Sequence, residues 1–171
     1  MKHSKAIDYV SQKIRLLIAE DHPKFRKSVK ALFQQESDIE VVGEATNGRD
    51  AVRLSHLIHP DVIVMDVAMP KLNGHQATKQ IVEESPATRV LILSANTEPE
   101  YILQAMLVGA SGYLIKHSPT LNLVQAVREV VKGKTYFSPS ISKLVCDHGR
   151  QVFDELKSAK KVRRFAKATV L

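Results

Sequence analysis

Five short runs of apolar residues recur along the chain, separated by segments whose apolar positions repeat at the spacing of a helix. The third run, Val62 to Met65, and the fourth, Val90 to Leu93, do not alternate apolar with polar residues. Such runs are typical of strands covered on both faces, as in a parallel sheet. The predicted strands cover residues 14–19, 39–42, 62–65, 89–93 and 112–115. Alternating strands and helices predict an α/β fold, in which right-handed crossovers place helices on both faces of a five-stranded parallel sheet.

The helices between these strands are predicted from the apolar stripe that each would turn toward the sheet. The fourth helix, from Pro99 to Val108, is expected to bury Ile102, Ala105 and Met106. The fifth is expected to run from about Pro119 to Lys132. A glycine follows each of these two segments, as is common where a helix ends in a left-handed residue.

One carboxylate stands where the third apolar run opens into a loop. Asp66 follows Met65 directly, and the next residues include Pro70, Asn73 and Gly74, which are typical of a loop. A side chain at this point lies at the carboxyl edge of a parallel sheet, where open α/β folds bind their ligands. Asp66 is therefore a candidate site residue. This stretch alone leaves open the alternative that Asp66 only caps the following turn or helix.

Other strand ends bring further polar residues to the same predicted edge. Glu20 and Asp21 follow the first strand, Ser94 follows the fourth, and Lys116 follows the fifth. Three converging carboxylates repel each other unless a cation neutralises them, and oxygen ligands with room for water suit Mg²⁺. A carboxylate such as Asp66 is also a competent nucleophile toward a phosphoryl group. Each residue alone could have a purely structural role: Glu20 and Asp21 as a helix cap, Ser94 as a turn residue and Lys116 as a solvated lysine. Together they favour a phosphoryl-transfer site.

Composition excludes several classes of protein. The chain has 171 residues, 44% hydrophobic and 25% charged, which is ordinary for a globular domain. One cysteine, Cys146, excludes an internal disulfide framework and a cysteine-based zinc cluster, and it fits a reducing, cytoplasmic environment. No apolar run approaches the roughly 18 residues of a membrane span, and no secretory signal is recognisable in the first 13 residues, which are interpreted as an arm.

The residues that flank Asp66 and the other strand ends form recognisable motifs. These are LLIAEDHPKFR, EVVGEATNG, DVIVMDVAMPKLNG, VLILSA and GASGYLIK. Through them the chain from about Ile14 to Ser138 resembles the receiver domain of two-component response regulators, in the NarL/FixJ-like branch. The resemblance covers about three quarters of the chain. It implies a flavodoxin-like (βα)5 three-layer sandwich with sheet order 2-1-3-4-5.

The same resemblance implies a role for each site residue. The chain would be a signalling switch rather than an enzyme with a metabolic substrate, receiving its phosphoryl group from a sensor histidine kinase. Asp66 would be the phosphoacceptor. Mg²⁺ would be held by Glu20, Asp21, Asp66 and the backbone carbonyl of Ala68, while Lys116 would contact the phosphoryl group and Ser94 and Tyr113 would form the switch pair.

At two positions the chain departs from the pattern of the family that it resembles. Glu20 stands where many relatives have Asp, which keeps the carboxylate but moves it by one methylene. Ala68 has no polar side chain, so the rate of dephosphorylation is left open. Ala68 also argues against a phosphatase of the haloacid dehalogenase type, which needs a second aspartate at this position.

In the switch that the resemblance implies, phosphorylated Asp66 draws the Ser94 hydroxyl inward, and the ring of Tyr113 then enters the vacated space. The surface of the fourth helix, fifth strand and fifth helix would change shape and provide the output, with homodimer formation on phosphorylation as a further expectation.

The remaining segment, residues 139–171, is expected to be a basic helical tail or linker. The net charge of the whole chain is +7, and residues 141–171 contribute +5 of it. Relatives in this branch usually continue into a helix-turn-helix domain, whose motif is not recognisable here. Drawn as a helix, the segment from Gly149 to Leu171 places Val152, Leu156, Ala159 and Val162 on one side, beside the basic run KSAKKVRRFAK.

Three interpretations of the tail stay open. It docks on the receiver or on a second copy, it is a basic arm for nucleic acid or a membrane surface, or it is the linker of a truncated regulator. Docking or a linker is favoured, because a basic run is usually a solvated face and no series of aromatic residues accompanies it. The alternative function is that of a transcription regulator that binds DNA through this atypical tail.

Overall fold

The structure of the chain is a computed structural model that describes residues 12–116, 121–138 and 141–142. Most of the predicted N-terminal arm, residues 1–13, lies outside the described residues. The tail beyond residue 142 and Cys146 lie outside them as well. None of the helices in the described part is both long and apolar enough to cross a membrane.

Six parallel strands form one sheet in the order β2-β1-β3-β4-β5-β6. Five of them confirm the predicted flavodoxin-like order. β3 is buried along its whole length, as its unbroken apolar run predicted, and each fully buried Val or Ile side chain contributes about 2 kcal/mol to folding. The strands are β1 (Ile14–Ala19), β2 (Ile39–Ala45), β3 (Val62–Asp66), β4 (Arg89–Ser94), β5 (Gly112–Ile115) and β6 (Tyr136–Phe137).

The predicted count of five strands is wrong, because β6 adds a sixth at the edge of the sheet. Gly112 lies opposite Tyr136, and Tyr113 lies opposite Phe137. The amide of Tyr136 donates to the carbonyl of Ser111 at 3.1 Å, and the amide of Ser138 donates to that of Tyr113 at 3.2 Å. A strand of two residues is too short to show a periodic pattern, so its neighbour β5 defines it rather than its own sequence.

Five helices cover the two faces of the sheet and make a three-layer sandwich. α1 and α5 pack on one face through the apolar cluster that includes Phe33 and Val127. α2, α3 and α4 pack on the other through the cluster that includes Ala51, Ile81 and Ile102. The helices are α1 (Pro23–Phe33), α2 (Gly48–Ile58), α3 (Gly74–Glu84), α4 (Pro99–Leu107) and α5 (Leu121–Val131).

Local capping explains why α3 begins directly beyond the loop that follows Asp66. The side chain of Asn73 accepts a hydrogen bond from the amide of Gln76, which satisfies one of the free N–H groups at the helix start. Gly74 follows, and a Cβ at this position would collide with the backbone carbonyl of Asp66. Only glycine therefore allows α3 to begin so close to the end of β3.

One expectation about α4 is wrong. Ile102 and Ala105 are buried as predicted, whereas Met106 is 40% exposed and Leu107 is 54% exposed. A helix turns by about 100° per residue, so Leu107 lies nearly opposite the inner stripe formed by positions 102 and 105, and Met106 lies at the edge of that stripe. α4 therefore carries apolar side chains on its outer side.

Candidate functional site at the carboxyl edge of the sheet

The fold brings the predicted site residues together at one edge of the sheet. Glu20 and Asp21 lie immediately after β1, Asp66 is the last residue of β3, Ser94 is the last residue of β4, and Lys116 follows β5. Because all these strands are parallel, their carboxyl ends meet at the same edge. The predicted convergence of these five residues therefore agrees with the structure.

Lys116 lies between two buried carboxylates. Its Nζ is 2.8 Å from Oε2 of Glu20 and 3.1 Å from Oδ1 of Asp66. Glu20 is 3% exposed and Asp66 is 4% exposed, whereas Asp21 is exposed. The ammonium also lies 4.9 Å from the centre of the Phe25 ring, on α1, in a cation–π contact. One cation thus lies between two buried carboxylates.

The ionisation of this group follows from its surroundings. Burial raises the pKa of Glu20 above its ordinary value, the hydrogen bond from Lys116 opposes this rise, and the charge of Asp66 adds to it. For Lys116, burial by itself lowers the pKa, but the contacts with Glu20 and Asp66 outweigh it and leave the pKa raised. Lys116 is therefore an ammonium ion at neutral pH.

The carboxylates have the arrangement that a small divalent cation requires. One oxygen from each of Glu20, Asp21 and Asp66 lies within 4.8 Å of the other two. Lys116 supplies one positive charge against three negative ones, so the group keeps an excess of negative charge that a hard cation would neutralise. The donor set fits Mg²⁺, which takes few carboxylates and keeps several water ligands. Receiver domains generally bind Mg²⁺ at an acidic pocket of this kind.

A small open cleft leads from the solvent to Asp66. Asp66, Ala68, Ser94 and Lys116 all line it, together with Tyr101 at the start of α4. Ala68 is exposed and lies beside Asp66 in this cleft. The predicted role of its backbone carbonyl as a Mg²⁺ ligand stays a prediction.

The predicted switch pair meets at a residue that the motifs did not indicate. The Oγ of Ser94 accepts a hydrogen bond from the amide of Asn96 at 3.1 Å. The hydroxyl of Tyr113 donates to the carbonyl of Asn96 at 2.9 Å. Asn96 thus links both side chains through its backbone, and its own side chain accepts from the amide of Glu98 at 2.7 Å. The sequence Ala-Asn-Thr-Glu-Pro signals a turn before α4, but not this connection.

The ring of Tyr113 lies inside the protein. Tyr113 is 0% exposed, and the predicted entry of its ring on phosphorylation stays a prediction. Burial raises the pKa of the Tyr113 hydroxyl, against the opposing hydrogen bond with Ser94, so the group stays protonated. The Asn96 carbonyl is the physical reason for the inward position, because it gives the buried hydroxyl a partner.

The fold and the arrangement of acidic residues around Lys116 define a receiver of the flavodoxin-like class. Residues 16–128 match the family model of the response regulator receiver domain. The chain belongs to the response regulator receiver domain family.

Similar proteins come from the NarL and LuxR types of response regulator. The transcriptional regulatory protein DegU of Brevibacillus brevis is 36% identical over 143 residues, which are 84% of this chain and 61% of that protein. The probable transcriptional regulatory protein NarL of Mycobacterium tuberculosis is 36% identical over 130 residues, 76% of this chain and 60% of that protein. The chain therefore spans about three fifths of the length of these two curated relatives.

A solved structure confirms the fold. The signal receiver domain of the putative response regulator NarL from Mycobacterium tuberculosis superposes with a TM-score of 0.70 at 36% identity, covering 72% of this chain and 99% of that one. A LuxR-family two-component response regulator from Aurantimonas superposes with a TM-score of 0.77 at 32% identity, covering 80% of this chain and 98% of that one. Both are receiver-type proteins, and the sheet order agrees with this class.

Proposed function

We propose that this chain is a phosphorylation-dependent signalling switch, in which Asp66 accepts a phosphoryl group from a phosphohistidine of a sensor histidine kinase. The observation that supports it best is the position of Asp66, buried at the carboxyl edge of β3 between Lys116 and the acidic pair Glu20 and Asp21. A carboxylate in this setting is both accessible through the cleft and surrounded by groups that stabilise a phosphoryl transition state.

The transfer step uses the two oxygens of Asp66 differently. Lys116 holds Oδ1, so Oδ2 is the oxygen that forms the new bond to phosphorus. The bond between phosphorus and the imidazole nitrogen of the donor breaks, and its electron pair returns to that nitrogen. Mg²⁺ would be held by Glu20, Asp21, Asp66 and the carbonyl of Ala68. When bound, it would neutralise negative charge on the phosphoryl oxygens.

Lys116 and Ser94 then act on the phosphoryl group itself. The Lys116 ammonium, now held by Glu20 at 2.8 Å, places a positive charge beside a phosphoryl oxygen. The Ser94 hydroxyl is a donor to another oxygen, because its contact with the Asn96 amide uses only an acceptor site of Oγ. A movement of Ser94 toward the phosphoryl group pulls on Asn96, and through it on the loop that leads into α4.

Tyr113 holds the other side of the same loop through the Asn96 carbonyl. The proposed output is therefore a change in the position of α4, biased by the state of Asp66. The surface of α4, β5 and α5 would carry this signal to other proteins or to a second copy of the chain. The chain catalyses only its own phosphorylation and dephosphorylation, and we place it in the cytoplasm, in keeping with its family.

The proposed division of the chain follows from the same assignments. Residues 14–138 form the receiver domain, residues 1–13 an arm, and residues 139–171 the basic tail. The family match over residues 16–128 supports the central part of this division.

Intact-mass measurement tests the proposed phosphoacceptor. The protein is incubated with Mg²⁺ and acetyl phosphate, beside Asp66→Asn and the matched control Asp61→Asn at the opposite end of β3. The wild type and Asp61→Asn should each gain one phosphoryl mass, and EDTA should prevent the gain. Asp66→Asn should gain none. Phosphorylation of folded Asp66→Asn, or none in the folded wild type, would refute the role given to Asp66.

A second candidate is a transcription regulator that binds DNA through its tail. The names of the relatives as transcriptional regulatory proteins and the charge of +5 over residues 141–171 favour it. Retention on DNA should then fall steeply with salt, and Lys160→Ala with Lys161→Ala should reduce it. Retention that is unchanged by these substitutions would remove the tail from the DNA contact.

A further inference from the structure

α4 exposes several apolar side chains beside the polar residues of its outer side. Of the five large apolar side chains that are markedly exposed in the described residues, three lie on this helix: Tyr101, Met106 and Leu107. Leu107 is the most exposed of these three, at 54%. Met106 and Leu107 are neighbours at the end of α4, whereas Tyr101 lies at its start; apolar side chains in solvent favour an interaction partner, because covering them removes apolar area from water.

A groove continues this surface toward α3. It has a volume of about 420 Å³, and its lining includes Leu107 and Val108 at the end of α4 and Val82 on α3. Lys79 and Glu83 add charged groups to the lining. Leu107 thus belongs both to the outer side of α4 and to this groove, so that one extended partner would cover the two together.

The charged residues of α3 and α4 carry a negative excess, whereas Lys79 and Glu83 in the lining of the groove balance each other. α3 and α4 with its N-cap contain four glutamates, Glu83, Glu84, Glu98 and Glu100, against one lysine, Lys79. Glu84 pairs with His56 at 2.7 Å. Within the described residues, the other three glutamates have no ion-pair partner. A basic partner would therefore gain favourable electrostatic contacts here.

The described chain ends on the same face of the sheet as α4. Ile141 is 2% exposed and belongs to the apolar cluster that contains Ile102 and Ala105 of α4. The next 29 residues, 143–171, therefore start on the face of the sheet that α4 covers. The six residues 143–148 would span up to about 20 Å when extended, about twice the diameter of a helix. The tail is thus long enough to reach the outer side of α4.

The tail has the chemistry that this surface requires. Residues 143–171 hold eight Lys or Arg against three Asp or Glu. In a helix drawn through them, Val152, Leu156, Ala159 and Val162 share one side, on which Glu155 and Arg163 also fall.

We propose that residues 149–165 of this chain dock as an amphipathic helix on the outer side of α4 and in the groove between α3 and α4. The apolar side of the tail covers Met106 and Leu107, and its basic residues face the free glutamates. One consequence rests on the proposed function: the tail covers part of the output surface, and displacement of α4 through the loop at Asn96 would loosen it.

Disulfide trapping in the full-length chain tests the contact. In a Cys146→Ser background, Leu107→Cys with Ala159→Cys is oxidised by copper-phenanthroline. The matched control joins Leu57→Cys, on α2 and 67% exposed, to the same Ala159→Cys. The first pair should form an intramolecular disulfide and the control pair should not, as judged by mass and non-reducing electrophoresis. No disulfide in a folded first pair, equal trapping in both pairs, or trapping only between two chains would overturn the proposal.

A second measurement uses charge in place of a covalent bond. With Leu107→Cys as the single thiol, Leu156→Asp should raise the rate of thiol labelling several-fold, because a carboxylate cannot stay against an apolar surface. Ser158→Asp adds the same charge on the other side of the drawn helix and should leave the rate nearly unchanged. Equal rates in both variants, with circular dichroism showing a folded domain, would contradict docking.

Both measurements are made without a phosphoryl donor and are repeated in Asp66→Asn. Trapping in that variant should equal trapping in the background chain, because docking of the resting tail does not need the phosphoacceptor. Failure of the acetyl phosphate experiment therefore leaves this contact intact, and absence of the disulfide leaves the role of Asp66 intact. The two proposals are thus tested independently.

Discussion

Two clusters at opposite ends of the sheet share one composition, a basic side chain between two carboxylates, yet they differ in what they can do. At the carboxyl edge, Lys116 lies between Glu20 and Asp66, whose side chains are each 4% exposed. At the amino edge, Arg128 of α5 lies between Glu36 and Asp38, whose side chains are 29% and 43% exposed. Both link distant parts of the chain through charge.

The arginine cluster satisfies its charges internally. Nε and Nη2 of Arg128 donate to the two oxygens of Asp38 at 2.8 and 2.7 Å, and Nη2 also donates to Glu36 at 2.6 Å. The planar guanidinium matches the carboxylate as a fork, and the hydrogen bond from Arg128 lowers the pKa of Asp38. This cluster clamps α5 to the connection between α1 and β2.

The lysine cluster leaves its charges incompletely satisfied. The ammonium of Lys116 is a compact charge and lacks the planar set of donors that a guanidinium offers. Asp21 adds a third carboxylate, one oxygen of which lies within 4.8 Å of an oxygen of Glu20 and of Asp66. Burial strengthens the repulsion between carboxylates that no cation neutralises, because the protein interior screens charge less than water does. The same composition therefore produces a structural clamp where the cation saturates its partners, and a candidate ligand site where it does not.

Among substitutions in the two clusters, Lys116→Met should have the largest effect on stability, because it leaves two buried carboxylates without their cation. We expect the free energy of unfolding to fall by about 3 kcal/mol in the absence of Mg²⁺. Added Mg²⁺ should raise the melting temperature of this variant more than that of the wild type, because it meets carboxylates that no lysine neutralises. Thermal unfolding with and without Mg²⁺ measures both effects.

Lys24→Met, at an exposed position on α1, is the control for loss of one positive charge. It should leave the stability and the Mg²⁺ response close to those of the wild type. A Lys116→Met protein that Mg²⁺ does not stabilise would show that Glu20, Asp21 and Asp66 do not form a Mg²⁺ site.

Removal of Arg128 should lower the free energy of unfolding less than removal of Lys116. Arg128→Ala is expected to lower the free energy of unfolding by about 1 kcal/mol, since solvent screens this partly exposed cluster. Added Mg²⁺ should not restore the loss, because the amino edge is not a metal site. Lys132→Ala removes an exposed partner of Glu129 and should have no measurable effect in the same urea titration. A loss as large as that of Lys116→Met would contradict the contrast drawn between buried and exposed clusters.

The smallest expected effect is the pH dependence of the arginine cluster. In the native state the pKa of Asp38 lies below its ordinary value of 3.8, so the native chain binds this proton less readily than the unfolded chain. The stabilisation from the pair is therefore fully present above pH 3.8 and is lost as the pH falls through the native pKa. The difference in stability between the wild type and Arg128→Ala should shrink in that range.

Urea titrations from neutral pH down to about pH 3 would measure this difference. Asp38→Asn carries no titrating group at this position, so its difference from Arg128→Ala should stay nearly constant over the same range. A difference between wild type and Arg128→Ala that grows as the pH falls below 3.8 would have the wrong sign for this explanation.

Much of the fold and of the candidate site could be predicted from the sequence, because both follow from short-range patterns. The unbroken apolar run before Asp66 indicates a strand covered on both faces, and parallel strands necessarily end at a common edge. That argument places Glu20, Asp66 and Lys116 together without knowledge of any contact between them. The bounds of α3, Gly74 to Glu84, agree with the loop residues before it and with Pro86 after it.

Only the tertiary structure decided how separate elements meet. β6 exists because β5 offers it a partner, and its two residues show no pattern of their own. Met106 is exposed because it lies at the edge of the inner stripe of α4, and Tyr113 lies inside because the carbonyl of Asn96 accepts its hydroxyl.

The Arg128 clamp joins residues 90 positions apart, a separation at which no local pattern predicts a contact. The sequence by itself determined which segments are buried and which strand ends carry charge, because hydrophobic periodicity and turn residues act over a few neighbouring positions. Contacts between distant elements depend instead on how the packed layers orient each side chain, and the tertiary structure alone decides that geometry.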